Sequence, residues 1–204
     1  MGVVPVVTIG QAHDAARLAD TFVEAGLPCA EIALRTSAAV KAIQSISKRG
    51  DMLVGAGTVL SIGQVKAAVD AGAEFLFSPG FNPKIAGYCL EHDILHIPGI
   101  CTPSGIEAAL ELGLHVLKFF PAEAYGGLKT LKAISGPYPD VAFIPTGGIN
   151  FRNLADYLRY PAVLACGGTW LADAMSISSG RFQEIRLNIK QAVQTAKDCA
   201  GMER

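Results

Sequence analysis

The sequence predicts an α/β fold, a single-domain (β/α)8 TIM barrel spanning residues 1–204. Three observations lead there. Eight short β-branched runs alternate with Ala-rich stretches whose apolar residues recur at i, i+3 and i+4. Seven crossovers joining eight buried parallel strands is the count of a closed barrel. An open doubly wound sheet usually carries G-x-G-x-x-G after its first strand, and Ile9-Gly10-Gln11-Ala12 stands there instead. Finally, no Pro/Gly/Ser linker or composition break interrupts the 204 residues, and 50% hydrophobic against 17% charged residues suffices for one large core.

In order, the expected strands are 3–8, 29–34, 52–56, 75–78, 94–98, 115–119, 142–146 and 162–165. The expected helices are 14–25, 38–47, 62–71, 83–91, 104–112, 127–134 and 153–157, and Phe182, Ile185, Ile189 and Val193 give 181–199 the face of a closing helix. Asp14, Ser37 and Ser61 stand where N-caps belong, and Gly26, Gly50, Gly72 and Gly113 follow helices as C′ residues.

Charge and composition exclude several function classes. A net charge of -1, from 17 basic and 18 acidic residues, leaves no footprint for nucleic acid and no basic helix for a membrane surface. Apolar runs are strand-length, so no transmembrane span is expected. Met1-Gly2-Val3-Val4 runs straight into strand one without a signal-peptide pattern. Five scattered cysteines, with no C-x-x-C, read as reduced thiols of a cytoplasmic protein. The four histidines lack zinc-site spacing, so neither a metal nor any other cofactor is expected.

In a barrel, chemistry gathers at the C-terminal strand ends. Lys118 sits inside a strand, between Leu117 and Phe119. Burial disfavours the charged form of an amine, and a neutral amine is what a Schiff-base nucleophile requires. The alternative is a lysine reaching out at the strand end or paired with Glu31 or Glu123. Glu31 is equally out of place, either as a general acid/base near Lys118 with Arg35 holding an anion, or as an ion-pair partner of Lys118, Arg35 or Lys84. Thr146-Gly147-Gly148 and Gly167-Gly168-Thr169 end the last two strands, where barrels hold phosphate on unshielded backbone N–H groups, unless they are only turns. Thr58, Pro79 and Phe120 line a pocket or pack its rim. His96 reads as a satisfied interior histidine, Cys101 and Cys166 as small apolar fillers, and Trp170 as packing for the helix after strand eight.

Eight blocks recur together in order: Glu31–Thr36, Gly55–Leu60, Ser78-Pro79-Gly80, Pro98-Gly99, Thr102-Pro103-Ser104, Lys118–Glu123, Pro145–Ile149 and Gly167–Leu171. With these the chain resembles the 2-keto-3-deoxy-6-phosphogluconate (KDPG) and 2-keto-4-hydroxyglutarate (KHG) aldolase family over nearly its whole length. The resemblance implies a class I aldolase that needs no metal or organic cofactor, forms a homotrimer and acts on a small 2-keto acid. It implies Lys118 as the Schiff-base lysine and Glu31 as general acid/base. Arg35, Thr58, Pro79 and Phe120 would then hold the substrate, and Thr146, Gly147, Gly148, Gly168 and Thr169 its phosphate. The Leu34-Arg35-Thr36 string is similar to that of the phosphogluconate branch.

Departures from the pattern are Ala33, Ser104-Gly105-Ile106-Glu107 and Thr169, which keeps the hydroxyl of the common Ser. The chain also reaches strand one without the helix that relatives place before it, so the closure of the barrel floor is expected to differ. Rival readings are a phosphate-binding isomerase or synthase without a covalent lysine, and a non-catalytic sugar-phosphate-binding barrel. For a metal-dependent aldolase the scattered His and acidic residues supply no ligand set.

Overall fold

The computed structural model of the chain describes residues 2–201. Its strands are β1 (Val3–Val7), β2 (Cys29–Ala33), β3 (Leu53–Gly57), β4 (Phe75–Phe77), β5 (His96–Ile97), β6 (Gly99–Ile100), β7 (Val116–Phe119), β8 (Ala142–Pro145) and β9 (Cys166–Gly168). All pairings are parallel. They form a six-stranded sheet, β5-β4-β3-β2-β1-β9, and a three-stranded sheet, β6-β7-β8. Single bridges, Phe143 to Val163 and Thr146 to Gly167, tie β8 to the chain entering and forming β9. The parallel strands curl so that one face carries a small cluster of Cys29, Phe75, Phe77, Ile97 and Ile144. The other face buries the larger core against the helices.

Between the strands run α1 (Asp14–Glu24), α2 (Ala39–Ser47), α3 (Ile62–Asp70), α4 (Pro83–Glu91), α5 (Pro103–Leu110), α6 (Gly127–Ser135) and α7 (Leu154–Leu158), and α8 (Ala174–Ser178) and α9 (Phe182–Gly201) follow the last strand. Among the described residues no helix is long and apolar enough to cross a membrane. Ser61 caps α3 as expected, its side chain accepting from Gln64 N. Gly26, Gly50, Gly72 and Gly113 all take positive φ at helix ends. Two expected caps are displaced by a residue: His13 and Ala38 hold the cap positions of α1 and α2 without side-chain bonds, so Asp14 lies in the first turn and Ser37 outside. Asn82, Thr102 and Asp173 are side-chain caps that the pattern reading passed over.

Two strand expectations need correction. The expected fifth strand, 94–98, is two short strands with Pro98 between them, since proline has no N–H for the ladder. β6 then pairs only with β7, with Gly99 opposite Lys118. The expected last strand, 162–165, makes one bridge at Val163, and the strand itself is Cys166–Gly168, paired with Val3–Pro5. Gly167 and Gly168 are therefore strand residues rather than a loop beyond it. Their missing side chains have a use, because a Cβ at Gly167 would stand 2.4 Å from Thr146 Oγ1 and one at Gly168 2.2 Å from the Trp170 ring. At the N-terminal strand ends α9 packs so close that a Cβ on Gly2 would lie 2.9 Å from that of Ala196. A cavity of about 460 Å³, lined by Leu27, Leu158, Leu164 and Val193 among others, lies at this end.

Candidate active site

Lys118 and Glu31 are each the third residue of a strand, β7 and β2, and period-two alternation turns both onto the face with the smaller cluster. Lys118 Nζ lies 3.2 Å from Glu31 Oε1 and 3.3 Å from Oε2. The residues are only 5% and 1% exposed, so each charge has the other as its main compensation for lost water. The rings of Phe77 and Phe120 flank the ammonium at 5.0 and 5.5 Å. Room for the carboxylate comes from Gly57, where a Cβ would stand 1.9 Å from Glu31 Oε1. Two of the other partners considered for these groups are engaged elsewhere, and Lys84 makes no ion pair among the described residues. The Glu123 carboxylate accepts from Tyr157 Oη at 2.5 Å, and the Arg35 guanidinium donates through Nε to Thr58 Oγ1 at 3.1 Å.

Above the pair opens a cavity of about 370 Å³. All eleven residues singled out in the sequence line it: Lys118 and Glu31, then Arg35, Thr58, Pro79 and Phe120, then Thr146, Gly147, Gly148, Gly168 and Thr169. Arg35 is exposed at the mouth, in the turn after β2. Thr58, just past β3, has φ +59°, a left-handed conformation that is costly for a β-branched residue. Gly147 and Gly148 follow β8 with φ of +97° and +83°. The N–H groups of Gly147, Gly148 and Ile149 have no acceptor among the described residues, so successive backbone donors are available to an anion.

Four further lining residues escaped the sequence reading: Val6, Ile149, Asn150 and Trp170. Trp170 packs against the core and reaches the site as well. It faces the cavity, sits edge-on to Phe151 at 6.3 Å, and has a buried Nε1 without a partner. His96 is satisfied on one side only. Its Nε2 meets Ser78 Oγ at 2.9 Å, Ser78 Oγ bonds the Val59 carbonyl at 2.8 Å, and Nδ1 is unpartnered. Burial pushes this imidazole down to about 4. All five cysteines are free; Cys166 is fully buried and Cys101 partly so, and burial pushes the Cys166 thiol well up. Among the described residues no three His, Cys, Asp or Glu side chains cluster as a metal ligand set. The arrangement joins an amine and a carboxylate within proton-transfer distance, an exposed guanidinium, and a backbone anion cradle across one cavity.

Known proteins share this arrangement of chain. The family model described as "KDPG and KHG aldolase" matches residues 1–187. A 2-dehydro-3-deoxy-phosphogluconate aldolase of Treponema pallidum is 46% identical over 193 residues, 94% of this chain and 92% of that protein. A crystal structure of KDPG aldolase from Legionella pneumophila, with pyruvate captured at low pH as a covalent carbinolamine intermediate, superposes with a TM-score of 0.91. It is 38% identical and the match covers 94% of this chain and 93% of that one. The KDPG aldolase of Zymomonas mobilis ZM4 with 3-phosphoglycerate superposes with a TM-score of 0.88 at 35% identity, covering 94% and 90%. On sequence and on structure alike, the chain belongs to the KDPG and KHG aldolase family.

Proposed function

We propose that the chain is a class I aldolase that cleaves KDPG to pyruvate and glyceraldehyde 3-phosphate, with KHG, cleaved to pyruvate and glyoxylate, as a second substrate. The observation that carries this reading is Lys118 Nζ at 3.2 Å from Glu31 Oε1, both buried beneath a cavity with an anion cradle. Lys118 passes a proton to Glu31 and its neutral amine attacks the C2 ketone. Glu31 returns that proton to the carbinolamine hydroxyl, which leaves as water, and a protonated Schiff base remains, an electron sink stronger than the ketone. Glu31, directly or through one water, takes the proton of the C4 hydroxyl. The C3–C4 bond breaks, its electron pair moves toward the iminium, and the aldehyde leaves. The pyruvate enamine is then protonated at C3 and hydrolysed from Lys118.

In this scheme Arg35, with its fork suited to an oxyanion, and Thr58 hold the carboxylate and hydroxyl end, while Pro79 and Phe120 shape the wall. Thr146, Gly147, Gly148, Gly168 and Thr169 receive the phosphate. The covalent pyruvate adduct of the Legionella enzyme and the phosphorylated acid in the Zymomonas enzyme support the two halves of the assignment. We also read the two sheets as one closed (β/α)8 barrel in a single domain. Pro98 interrupts a shared fifth strand, and the bridges at Val163 and Gly167 are where the last two strands meet. A homotrimer, a cytoplasmic location and the absence of any cofactor follow from family likeness.

The test is intact mass after incubation with pyruvate and borohydride, beside Lys118→Ala. A reduced pyruvate adduct that vanishes in the variant is expected. No adduct on folded wild-type protein would overturn the Schiff-base reading and favour a phosphate-binding isomerase.

A further inference from the structure

Three successive peptide planes form the turn after β8, and each is fixed through its carbonyl. Thr146 O accepts from Ala122 N at 2.8 Å and Gly147 O from Glu123 N at 3.0 Å. Gly148 O is held differently, by two side chains: Asn150 Nδ2 at 3.0 Å and Asn153 Nδ2 at 3.2 Å. In a trans peptide the carbonyl and the following N–H point in opposite directions, so holding one aims the other. The three N–H groups aimed in this way belong to Gly147, Gly148 and Ile149, which line the cavity and have no acceptor among the described residues.

The two amides are themselves oriented. Asn150 Oδ1 accepts from Arg152 N at 2.9 Å and Asn153 Oδ1 from Asn150 N at 2.8 Å. Each oxygen is committed to a backbone donor, so each NH2 group is the half that turns to Gly148 O. Asn153 stands at the cap position of α7 yet makes no side-chain bond to that helix. Its hydrogen-bonding capacity goes to the turn instead. Asn153 does not line the cavity, so its action on a ligand has to pass through the turn.

We propose that Asn153, working with Asn150, is a positioning residue for the phosphate of the substrate: it locks the Gly148–Ile149 peptide so that the Ile149 N–H completes a three-donor cradle. This rests on the aldolase reading above. Without Asn153 the Gly148 carbonyl keeps only the bond from Asn150, whose own backbone N–H loses its acceptor, so the third donor of the cradle is held loosely. Attack on the ketone and formation of the enamine occur at the other end of the cavity and need no phosphate.

The experiment compares wild type with Asn153→Ala and Asn153→Ser, the second chosen because serine suits a helix start but carries no amide. Two activities are measured: steady-state cleavage of the phosphorylated keto acid, and exchange of pyruvate C3 protons with solvent deuterium followed by NMR. Wild-type protein active in neither would refute the aldolase reading itself. With wild type active, both variants should raise KM for the phosphorylated acid about tenfold, the worth of one well-placed hydrogen bond to an anion. Their kcat and pyruvate exchange should stay at the wild-type level. An unchanged KM would overturn the proposal, as would exchange falling in step with cleavage. Failure of both variants to fold, read from melting curves, would make Asn153 a fold residue and overturn it too.

Discussion

Replacing Gly57 by Ala perturbs the proton-transfer pair while leaving both members in place. The added methyl would stand 1.9 Å from Glu31 Oε1 and 2.6 Å from Cδ and Cγ, where ordinary contact starts near 3.4 Å. Gly57 is not among the residues with positive φ, so the substitution costs space alone. Strand β3 is held on both sides, with Ala33 of β2 opposite Gly57 and Phe75 of β4 opposite Gly55. The Glu31 side chain is what yields, by about 1.5 Å. From 3.2 Å, its bond to Lys118 then stretches beyond hydrogen-bond range. Misplacing a reacting group by about 1 Å can cost about 10²-fold in rate, the lower end of what losing a general acid/base costs. We therefore expect kcat for the phosphorylated keto acid to fall about 10²-fold in Gly57→Ala, while Lys118 still gives a borohydride-trapped pyruvate adduct. Coupled turnover assays and intact mass on one preparation measure the two, with a melting curve to check the fold. Wild-type kcat in this variant would refute the argument that the seat of Glu31 sets the rate. So would loss of adduct and turnover together.

Other consequences follow from the same geometry. Glu31→Gln should lower kcat by about 10²–10⁴ and still permit the pyruvate adduct; unchanged turnover would remove Glu31 from the mechanism. Thr58→Gly relieves the left-handed strain of a β-branched residue and should raise stability by up to about 1 kcal/mol, net of glycine's extra chain entropy. It also deletes the hydroxyl that accepts from Arg35, so KM for the keto acid should rise; a lower melting temperature would refute the strain argument. Below pH 6.5 the unfolded chain protonates His96 while burial keeps the folded chain from doing so until about pH 4. Stability is thus untouched above pH 6.5 and falls on acidification, by up to about 3 kcal/mol, levelling off below pH 4. In His96→Phe this part of the acid sensitivity should vanish from denaturant titrations at pH 7 and 4.5, and an unchanged slope would acquit His96.

Legibility in the sequence followed local physics. The early strands stand out because β-branched runs lie between helical stretches of a different period, and Lys118 and Glu31 stand out as charges inside strands. Their mutual pairing was one option among several, since residues 87 apart share no local signal. Cys166-Gly167-Gly168 was hidden because glycine has low strand propensity, and the apolar run just before it drew the assignment. Leu164 in that run is about half exposed. Gly57 carried no signal of its own, because only the fold shows that Glu31 fills the space above it. Asn153 read only as the start of a helix and Asn150 drew no reading, for the carbonyl they hold becomes visible only once the turn is built.

The amine and the carboxylate stand on different sheets, Glu31 on the six-stranded one and Lys118 on the three-stranded one. No fragment that forms only one of these sheets contains the reactive couple. A nascent or partly opened chain thereby lacks the general acid/base that turnover needs, and cleavage of the keto acid becomes a reporter of completed docking between the two halves. The enzyme's own substrate could then serve as a conformational probe, separating molecules that are merely collapsed from those that are assembled.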